Sequence, residues 1–359
     1  MSEAKQGRRR PGRLNPTVGK ARKIFRDALA AAGSPRSVLV ACSGGPDSLA
    51  LASVAAFFAR RAGSTLRIGA VIVDHQLQAG SDEVAARTAA TLRDLGLDPV
   101  VVIPVTVNSQ GNGPEAAARE ARLAALESAA VEHGAQAVLL GHTLDDQAEQ
   151  VLLGLARGSG TRSLAGMPAR RDFGEDPNRG FYLRPFLPLR RAEIMEICDA
   201  EGLDPWHDPT NADAAFARSR VRTTVMPMLE HQLGPGVAES LYRSASILSQ
   251  DAQYLAEQAQ SSFAALRQDG PEGEIFLSET ALRELPAALR IRVLALAVEA
   301  LGGAASYGRL HAAEALLERQ GSAGPVQLPG GVSAYRQPRP KNASAKDPRY
   351  GKLVIKRTG

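Results

Sequence analysis

Six consecutive residues have the types that bind a phosphate group: Ser43, Gly44, Gly45, Pro46, Asp47 and Ser48. An apolar run precedes them and residues of helical composition follow, so the pattern predicts a strand, a loop and a helix in that order. Such a loop directs free backbone N–H groups and the positive end of a helix dipole at one point, where an anion is stabilised. The glycines let the backbone approach the anion, and the serine hydroxyls add donors. The pattern therefore predicts a phosphate site, with Asp47 as the ligand of the Mg2+ that accompanies a triphosphate.

A second group of polar residues lies within 141–149 and includes His142. On a helix that begins near Leu144, Asp146 and Glu149 are three positions apart and share one face. Two carboxylates beside a nucleotide are unfavourable unless they pair with a metal or a cationic substrate, and this predicts an amine ligand. Asp145 is equally compatible with an acid that only stabilises the helix N-terminus, and the sequence leaves open which aspartate binds metal. Because His142 lies at a strand end beside these acids, we interpret it as functional.

Apolar runs and helical patterns alternate over the first 140 residues. The apolar runs are 38–42, 68–73, 99–105 and 137–140, and the helical segments are 46–62, 81–95 and 114–133. This order predicts a doubly wound, mostly parallel, Rossmann-like α/β sheet. The carboxyl ends of its strands place Ser43, Asp74 and His142 at one edge, so Asp74 is a further candidate for binding ATP. Ser81 or Asp82 is expected to cap the second helix.

The composition excludes several classes of protein. The chain has 359 residues, of which 44% are hydrophobic, and this is enough for more than one core. Cys42 and Cys198 are the only cysteines, so a disulfide framework and a four-thiolate metal site are excluded and a cytoplasmic protein is expected. No apolar run approaches the roughly 18 residues of a membrane-spanning helix, so no membrane partner is expected. A homo-oligomer is compatible with the sequence.

Positive charge is concentrated at the two ends of the chain. Residues 1–25 and 336–359 each carry a formal charge of +7, and the remaining residues carry −9. Basic ends predict a polyanionic partner because phosphate neutralisation supplies affinity, although the first fifteen residues are expected to be disordered. All seven lysines lie in these ends. The central residues therefore lack the lysine that a Walker A loop, a protein kinase or a Schiff-base enzyme requires.

Several motifs resemble those of a known family. The loop at 43–48 resembles the SGGxDS pyrophosphate loop of the N-type ATP pyrophosphatases, the PP-loop superfamily. The sequence GHTLDDQAE at 141–149, followed by RGSG at 157–160, is similar to the motif of the tRNA(Ile)-lysidine synthetases. Further elements of that family are matched, in order, at 115–122, 184–187, 191–194, 206–211 and 218–222. Leu123 stands where the family has tyrosine and Ser219 where it has asparagine, and the matches span roughly half of the chain.

The resemblance implies a two-step reaction on the wobble cytidine of a tRNA(Ile) with a CAU anticodon. ATP adenylylates the C2 oxygen of the cytosine and releases pyrophosphate, and the ε-amine of free L-lysine then displaces AMP to form lysidine. By the same resemblance, Asp146 and Glu149 bind the lysine amines. His142, together with Arg119 or Arg122, is then expected near the activated cytidine and its phosphate.

Arginine is abundant in the later part of the matched region. Residues 157–222 contain eleven arginines and no lysine, and guanidinium groups suit phosphates and base edges. Four of these arginines are candidates for contacting tRNA or ATP: Arg184, Arg218, Arg220 and Arg222. We interpret Arg190 and Arg191 as ion-pairing residues of a solvated surface, and 170–180 as a mobile loop.

The last third of the chain has a different pattern. A long helix is predicted over 237–266, with Leu241, Ile247, Leu248 and Leu255 on its apolar side. Further predicted elements are helices at 286–301 and 307–319, a turn between strands at 326–332 and a last strand at 352–356, which together form a helical region and a small C-terminal α/β domain. The predicted domains are a basic arm over 1–25, a PP-loop catalytic domain over 26–230 and a tRNA-binding region over 231–359.

Three other interpretations stay open. Another PP-loop tRNA-modifying enzyme, such as a tRNA 2-thiocytidine synthetase, would share the phosphate loop but ordinarily needs cysteine pairs. An amide-forming synthetase that acts on a small substrate, such as NAD or GMP synthetase, would lack the arginine-rich segment. A non-catalytic RNA-binding protein on the same fold would explain the basic ends, but not the combination of Asp47, His142, Asp146 and Glu149.

Overall fold

The computed structural model of the chain has two compact units, which divide between Ser249 and Gln250. The residues that it describes are 14–76, 80–105, 114–158, 160–174, 176–208, 213, 215–318, 324–337 and 351–358. Residues 1–13, most of the segment predicted to be disordered, lie outside the described residues. No helix within the described ranges is long and apolar enough to cross a membrane.

The first unit is built on a six-stranded sheet. Its strands are β1 (Ser37–Ala41), β2 (Arg67–Asp74), β3 (Val100–Pro104), β4 (Ala137–Leu140), β5 (Arg170–Asp172) and β6 (Phe181–Leu183). They lie in the order β3-β2-β1-β4-β6-β5, and β5 is antiparallel to β6 while the other neighbours are parallel. Its helices are α1 (Pro16–Ala31), α2 (Pro46–Ala59), α3 (Ser81–Asp94), α4 (Pro114–Glu132), α5 (Leu144–Ala156), α6 (Thr161–Leu164), α7 (Arg191–Glu201), α8 (Ala217–Arg220), a π-helical turn at Val221–Val225, and α9 (Met226–Leu233).

Alternation of side chains along β1 explains why helices cover both faces of this sheet. Val38 and Val40 pack into a core with α1, α2 and α7, whereas Leu39 and Ala41 pack into a second core with α4. All residues of β1 are buried, as expected for a central parallel strand. Because β1 pairs with both β2 and β4, the segments that follow these strands meet at one edge. The predicted doubly wound α/β fold is confirmed.

Strands β1 to β4 and helices α2 to α4 lie where the sequence predicts them, but two local predictions are wrong. The N-cap of α3 is Gly80 rather than Ser81 or Asp82, because the chain enters the helix through a left-handed residue with φ of 81°. Residues 170–180 are not simply a loop. Strand β5 pairs with β6, and Pro177–Arg179 form a 3-10 turn. The polar residues of β5 are tolerated because the strand is exposed at a sheet edge.

The second unit carries a five-stranded antiparallel sheet in the order β7-β8-β11-β10-β9. Its strands are β7 (Gln268–Asp269), β8 (Ile275–Ser278), β9 (Val326–Leu328), β10 (Val332–Gln337) and β11 (Lys352–Arg357). The helices are α10 (Val237–Leu266), which begins in the first unit, α11 (Glu279–Glu284), α12 (Ala287–Glu299) and α13 (Tyr307–Glu314).

The predictions for the last third of the chain are confirmed in most elements. Helix α10 has the predicted limits, and α12, α13 and β11 lie in the predicted segments. Ile247 is 61% exposed, so its assignment to the apolar side of α10 is wrong. At about 100° per residue it lies on the side of the helix opposite the buried Ala245. Strand β11 lies between β8 and β10, so a segment near the C-terminus is central to this sheet.

Candidate active site

The loop between β1 and α2 leaves the first turn of that helix without a side-chain cap. Helix α2 begins at Pro46, and its N-cap residue Gly45 offers no side-chain acceptor. The N–H groups of this turn can therefore receive an anion. The hydroxyl of Ser48 is used inside the loop, where it accepts from the N–H of Ser43 at 3.2 Å and donates to the carbonyl of Gly45 at 3.0 Å. Ser48 thus fixes the shape of the loop.

Two glycines allow the backbone segments of the site to approach closely. Gly44 has a φ of 83°, and a Cβ there would lie 2.5 Å from the hydroxyl oxygen of Thr88. Gly141 directly follows β4, and a Cβ there would lie 2.9 Å from the carbonyl oxygen of Asp47. Because residue 141 has no side chain, the segment that carries His142 lies directly against the phosphate loop.

Asp47, in the first turn of α2, has one carboxylate oxygen without a partner. Its Oδ1 is buried and makes no hydrogen bond to the described residues, while Oδ2 lies 3.8 Å from the guanidinium of Arg191. Burial raises the pKa of Asp47 to about 6, against the attraction of Arg191. An unpaired carboxylate oxygen at a phosphate loop fits Mg2+, which combines one or two carboxylates with substrate phosphates and water. The described residues contain no cluster of three or more His, Cys, Asp or Glu that would hold a metal without such additional ligands.

One carboxylate oxygen of Asp146 takes part in the capping box at the N-terminus of α5. Its Oδ2 accepts from the N–H of Thr143 at 2.8 Å and from the Thr143 hydroxyl at 2.9 Å, in a capping box. Its Oδ1 is left for other partners. Glu149 follows one turn later and is 1% exposed. Helix α5, which we call the acid helix, therefore begins where the sequence predicts it, and its two carboxylates lie near each other because they are three positions apart.

Both carboxylates are paired with arginines of the same chain. Arg222 donates to the two oxygens of Glu149 at 2.7 and 2.9 Å and to Oδ1 of Asp146 at 3.1 Å. Arg191 donates to the same Oδ1 at 3.2 Å. Burial alone would raise the pKa of Asp146, but Arg191 and the N–H of Thr143 outweigh it and the pKa is lowered. Charge balance in this cluster therefore needs no amine ligand, and lysine binding by the two acids stays a prediction.

Arg191 is a central cation of this cluster, and its interpretation as a residue of solvated surface is wrong. Its guanidinium lies within 4 Å of Asp47, Asp146 and Glu149. Arg190 behaves as predicted, since it forms ion pairs and is partly exposed. The family-like element at 191–194 could have indicated a site role for Arg191, whereas its charge alone could not.

His142 lies beside the acid cluster and accepts a hydrogen bond from a buried arginine. The Nε of Arg184 lies 3.2 Å from Nδ1 of His142, and its Nη1 donates to the carbonyl of Pro168 at 2.8 Å. Burial lowers the pKa of His142 to about 3; Asp146 opposes this shift and Arg184 and Arg122 add to it. His142 is therefore neutral at physiological pH. Burial also lowers the pKa of Arg184, to about 10, so the guanidinium stays charged.

Two cavities in the first unit share two arginine side chains as walls. The larger, of about 470 Å³, lies at the carboxyl ends of the strands, and its lining residues lie between Ala41 and Thr223 in the sequence. The smaller, of about 170 Å³, is lined by Glu149 and by residues of α9. Arg191 and Arg222 line both cavities, so the two cavities adjoin at this pair.

The structure brings most of the predicted site residues to the larger cavity. Those that line it are Ser43, Gly45, Pro46, Asp47, Ser48, Arg122, His142, Asp146 and Arg222. Glu149 lines the smaller one. The predicted residues outside both linings are Gly44, Asp74, Arg119, Arg184, Arg218 and Arg220.

Some of these outlying residues have partners of their own. Asp74 is buried and accepts from the N–H of Gln76 at 3.0 Å, and Arg218 donates to Gln150 at 2.9 Å. Arg119 is exposed on α4. Their contacts with ATP or tRNA stay predictions.

Trp206 is a site residue to which sequence reasoning assigned no role. Its backbone N–H donates to the carbonyl of Gly44 at 2.9 Å, and this hydrogen bond connects a distant segment to the phosphate loop. Trp206, His207 and Asp208 line the larger cavity. They belong to the family-like element at 206–211, and that match is the signal that could have found them. The later residues of this element lie outside the described part of the chain.

Comparisons with known proteins match both units. A family model for the PP-loop domain matches residues 17–229, and a model for the TilS substrate binding domain matches residues 277–338. A tRNA(Ile)-lysidine synthase of Thermobifida fusca is 49% identical, over 88% of this chain and 94% of the relative. A tRNA(Ile)-lysidine synthase of Streptomyces coelicolor is 50% identical, over 84% of this chain and 83% of the relative.

Among solved structures, the chain resembles the U34-tRNA thiolase NcsA from Methanococcus maripaludis with its [4Fe-4S] cluster. The TM-score is 0.54 at 17% identity, over 66% of this chain and 80% of that chain. At this identity the likeness shows the fold alone. The family model and the relatives, which match most of the chain, show more: the chain belongs to the tRNA(Ile)-lysidine synthase family.

Proposed function

We propose that this protein ligates L-lysine to C2 of the wobble cytidine in a tRNA(Ile) with a CAU anticodon, and that it consumes ATP and releases AMP and pyrophosphate. Family membership supports this reaction. The structural observation that carries it is the meeting of a phosphate loop, Asp47, His142 and a carboxylate pair at two adjoining cavities. Because the substrate is a tRNA, we also propose a cytoplasmic location.

The phosphate loop is the proposed site of the ATP triphosphate. The N–H groups of the first turn of α2 can stabilise negative charge on the phosphates, and Asp47, whose Oδ1 is unpaired, would hold Mg2+. When bound, Mg2+ polarises the phosphate under attack and neutralises the pyrophosphate that leaves. Arg191 lies 3.8 Å from Asp47 at this loop, and its guanidinium suits pairing with phosphate oxygens.

The smaller cavity is the proposed lysine site. Its volume of about 170 Å³ suits one long side chain, and Met226 supplies an apolar wall for the methylenes. Glu149 and the adjacent Asp146 supply carboxylates for the amines. Arg222 now occupies these carboxylates, so lysine binding means that an amine takes over hydrogen bonds from a guanidinium. Since one cation replaces another, the acids stay paired throughout.

The lowered pKa of Asp146 bears on its part in the second step. An acid with a low pKa holds a proton weakly, so it is a poor base for an attacking amine. We therefore assign Asp146 to holding and orienting the amine. We do not assign deprotonation of the amine to Asp146.

The proposed tRNA contacts involve exposed arginines and the second unit. Arg119 and Arg220 are exposed, and Arg218 is partly so. Arg184 is 4% exposed, which leaves a tRNA phosphate little room at its guanidinium. The second unit contains the match to the substrate binding domain of the family, and this supports its part in holding tRNA.

The test is a ligation assay with the full-length chain. Protein, ATP, Mg2+ and radiolabelled lysine are incubated with a tRNA(Ile) transcript that has a CAU anticodon, and tRNA-bound label and nucleotide products are measured. We expect label in the tRNA, with AMP and pyrophosphate as products. A transcript with uridine in place of the wobble cytidine is the matched control and should take up no label. Production of ADP and inorganic phosphate, or equal labelling of both transcripts, would contradict the proposal.

A further inference from the structure

The hydrogen bond between His142 and Arg184 fixes which imidazole nitrogen carries the proton. A guanidinium has only donors and no acceptor. Its Nε lies 3.2 Å from Nδ1 of His142, so Nδ1 presents a lone pair and carries no proton. A neutral imidazole with a bare Nδ1 has its proton on Nε2. This contact therefore selects one of the two neutral tautomers and disfavours the imidazolium.

Arg184 is itself held in place. Its Nη1 donates to the carbonyl of Pro168 at 2.8 Å, and the residue is 4% exposed. Within the described parts of the chain it forms no ion pair with a carboxylate; its side-chain partners there are the Pro168 carbonyl and the imidazole. The planar guanidinium is thus anchored at two atoms, and this fixes the orientation of the ring that accepts from it.

The charges around His142 point to the same protonation state. Asp146 favours the imidazolium, whereas burial and the positive charges of Arg184, Arg122 and Arg218 disfavour it, and the pKa is lowered to about 3. His142 also lines the larger cavity. Among the described residues no group accepts from its Nε2.

We propose that Arg184 is a positioning residue that holds His142 as a neutral imidazole with its proton on Nε2, so that His142 donates a hydrogen bond to an oxygen of the nucleotide in the cavity. With Nδ1 occupied and Nε2 protonated, the ring has no lone pair free to take up a proton. His142 is therefore a donor to a carbonyl or phosphate oxygen and not the general base for the lysine amine. The nature of this acceptor rests on the proposed function, whereas the state of the ring does not.

The state of the ring is measured by NMR on the full-length protein with 15N-labelled histidine. The chain has six histidines, and the signals that disappear in His142→Gln assign the ring of interest. We expect the two nitrogen shifts of a neutral ring protonated at Nε2, unchanged between pH 5.5 and 8. A proton on Nδ1, or a ring that titrates near its ordinary pKa of about 6.5, would overturn the proposal.

The role of Arg184 is tested by comparing Arg184→Met with Arg171→Met. Arg171 is an exposed residue of β5 whose charge also acts on Arg184, but it makes no hydrogen bond to His142 in the described structure. Arg184→Met should raise the pKa of His142 above its wild-type value, although burial still opposes the charge, and it should lower kcat by about tenfold or more, with a steeper loss at low pH. The KM for lysine should change less than kcat.

Arg171→Met should leave both the titration of His142 and kcat unchanged. Arg184→Lys, which keeps a charged donor, should recover part of kcat. An Arg184→Met enzyme with the wild-type pH profile and tautomer would refute the positioning role.

A pair of amide substitutions tests the donor role without touching Arg184. In His142→Gln the amide N–H2 reaches the position of Nε2, whereas in His142→Asn it reaches only the position of Nδ1. The glutamine variant should keep about tenfold more pyrophosphate release than the asparagine variant, and equal losses would contradict a donor at Nε2. If the wild-type protein makes no lysidine, the proposed function fails, while the NMR result still decides the state of the ring.

Discussion

The phosphate loop and the acid helix lie side by side, yet their polar groups are in opposite conditions. In the loop, the first turn of α2 has no side-chain cap and Oδ1 of Asp47 is buried without a hydrogen bond to the described residues. On the acid helix, Asp146 and Glu149 are fully paired with Arg191 and Arg222. The phosphate loop therefore has polar groups that only a ligand would pair, whereas the charges on the acid helix are already paired within the protein.

This difference bears on how each substrate is bound. A metal and a triphosphate would add interactions that the loop lacks, so binding there relieves an existing cost. An amine at the acid helix must exchange with a guanidinium, so binding there depends on a difference between two pairings. ATP binding and lysine binding should accordingly respond in different ways to the removal of charge.

The largest expected effect follows from removing an arginine that pairs with the acid helix. Arg222→Met removes the bidentate partner of the buried Glu149 and leaves it only Arg191 and Arg218, each at 3.8 Å, so the free energy of unfolding should fall by about 3 kcal/mol, as measured by denaturant titration. Adding Glu149→Gln to this variant should restore most of the loss, because the poorly paired charge is then gone. Independent, additive losses in the double variant would mean that the pair is not coupled.

The next largest effect is expected at the phosphate loop, where Asp47 is substituted. Asp47→Ala removes the proposed metal ligand, and both pyrophosphate release and lysine incorporation should fall together by about a hundredfold to a thousandfold. Glu239→Gln, which removes a surface ion pair with Arg190, is the control and should change neither rate. Loss of lysine incorporation with intact pyrophosphate release in Asp47→Ala would show that Asp47 does not serve the ATP step.

If a lysine amine replaces a guanidinium at the acid helix, substitutions of the two acids should have a smaller effect, mainly on lysine binding. Asp146→Asn and Glu149→Gln keep the side-chain shape but remove charge, so the KM for lysine should rise by about tenfold or more, the equivalent of a charge-assisted hydrogen bond of ~1.5–3 kcal/mol. Pyrophosphate release without lysine should be better preserved. If Asp146→Asn abolishes pyrophosphate release and Glu149→Gln does not, Asp146 belongs to the metal site and Glu149 alone stays a lysine ligand.

The raised pKa of Asp47 predicts an effect on stability that opposes its effect on activity. A carboxyl whose pKa rises from 3.8 to about 6 on folding stabilises the protein at low pH, and this contribution is lost as pH increases through 6. Asp47→Asn should therefore raise the free energy of unfolding by about 1–2 kcal/mol at pH 7.5 without Mg2+, after discounting for its 27% side-chain exposure. The gain should shrink towards pH 4. A gain that is independent of pH would rule out the ionised carboxylate as its cause.

The smallest expected effect is on the salt dependence of tRNA binding, which is tested with one lysine near each end of the chain. Deleting 336–359 to test tRNA contact would remove β11 from the centre of its sheet, so a single substitution is the sharper experiment. Lys356→Gln should reduce the slope of log affinity for tRNA against log salt by about one. Lys20 is already paired with Glu193 at 2.6 Å, and Lys20→Gln should leave the slope unchanged. Equal slopes for Lys356→Gln and wild type would exclude this contact.

What the sequence predicts well is local in the chain. The limits of α10 and the start of α5 follow from hydrophobic spacing and capping residues within a few positions. The role of Arg191 could not be read in this way, because its partner Asp146 lies 45 positions away and the contact exists only after the sheet has formed. Arg184 shows the same limit: an arginine suits tRNA by type, but its burial beside His142 depends on the packing of β4 against β6.

Strand β1 is hydrogen-bonded on both edges and buried on both faces, so its amide hydrogens should exchange with water only when the whole unit opens. Cys42, the residue after β1, continues this pairing, because its backbone N–H donates to the carbonyl of Val71 at 2.9 Å. Ser43, the next residue, is exposed, and Gly45 is half-buried at the cavity. Protection against exchange should therefore fall within a few residues, because the N–H of Ser43 is held only by the Ser48 hydroxyl at 3.2 Å. Local opening of the loop would therefore leave the hydrogen bonds of the strand that anchors it intact.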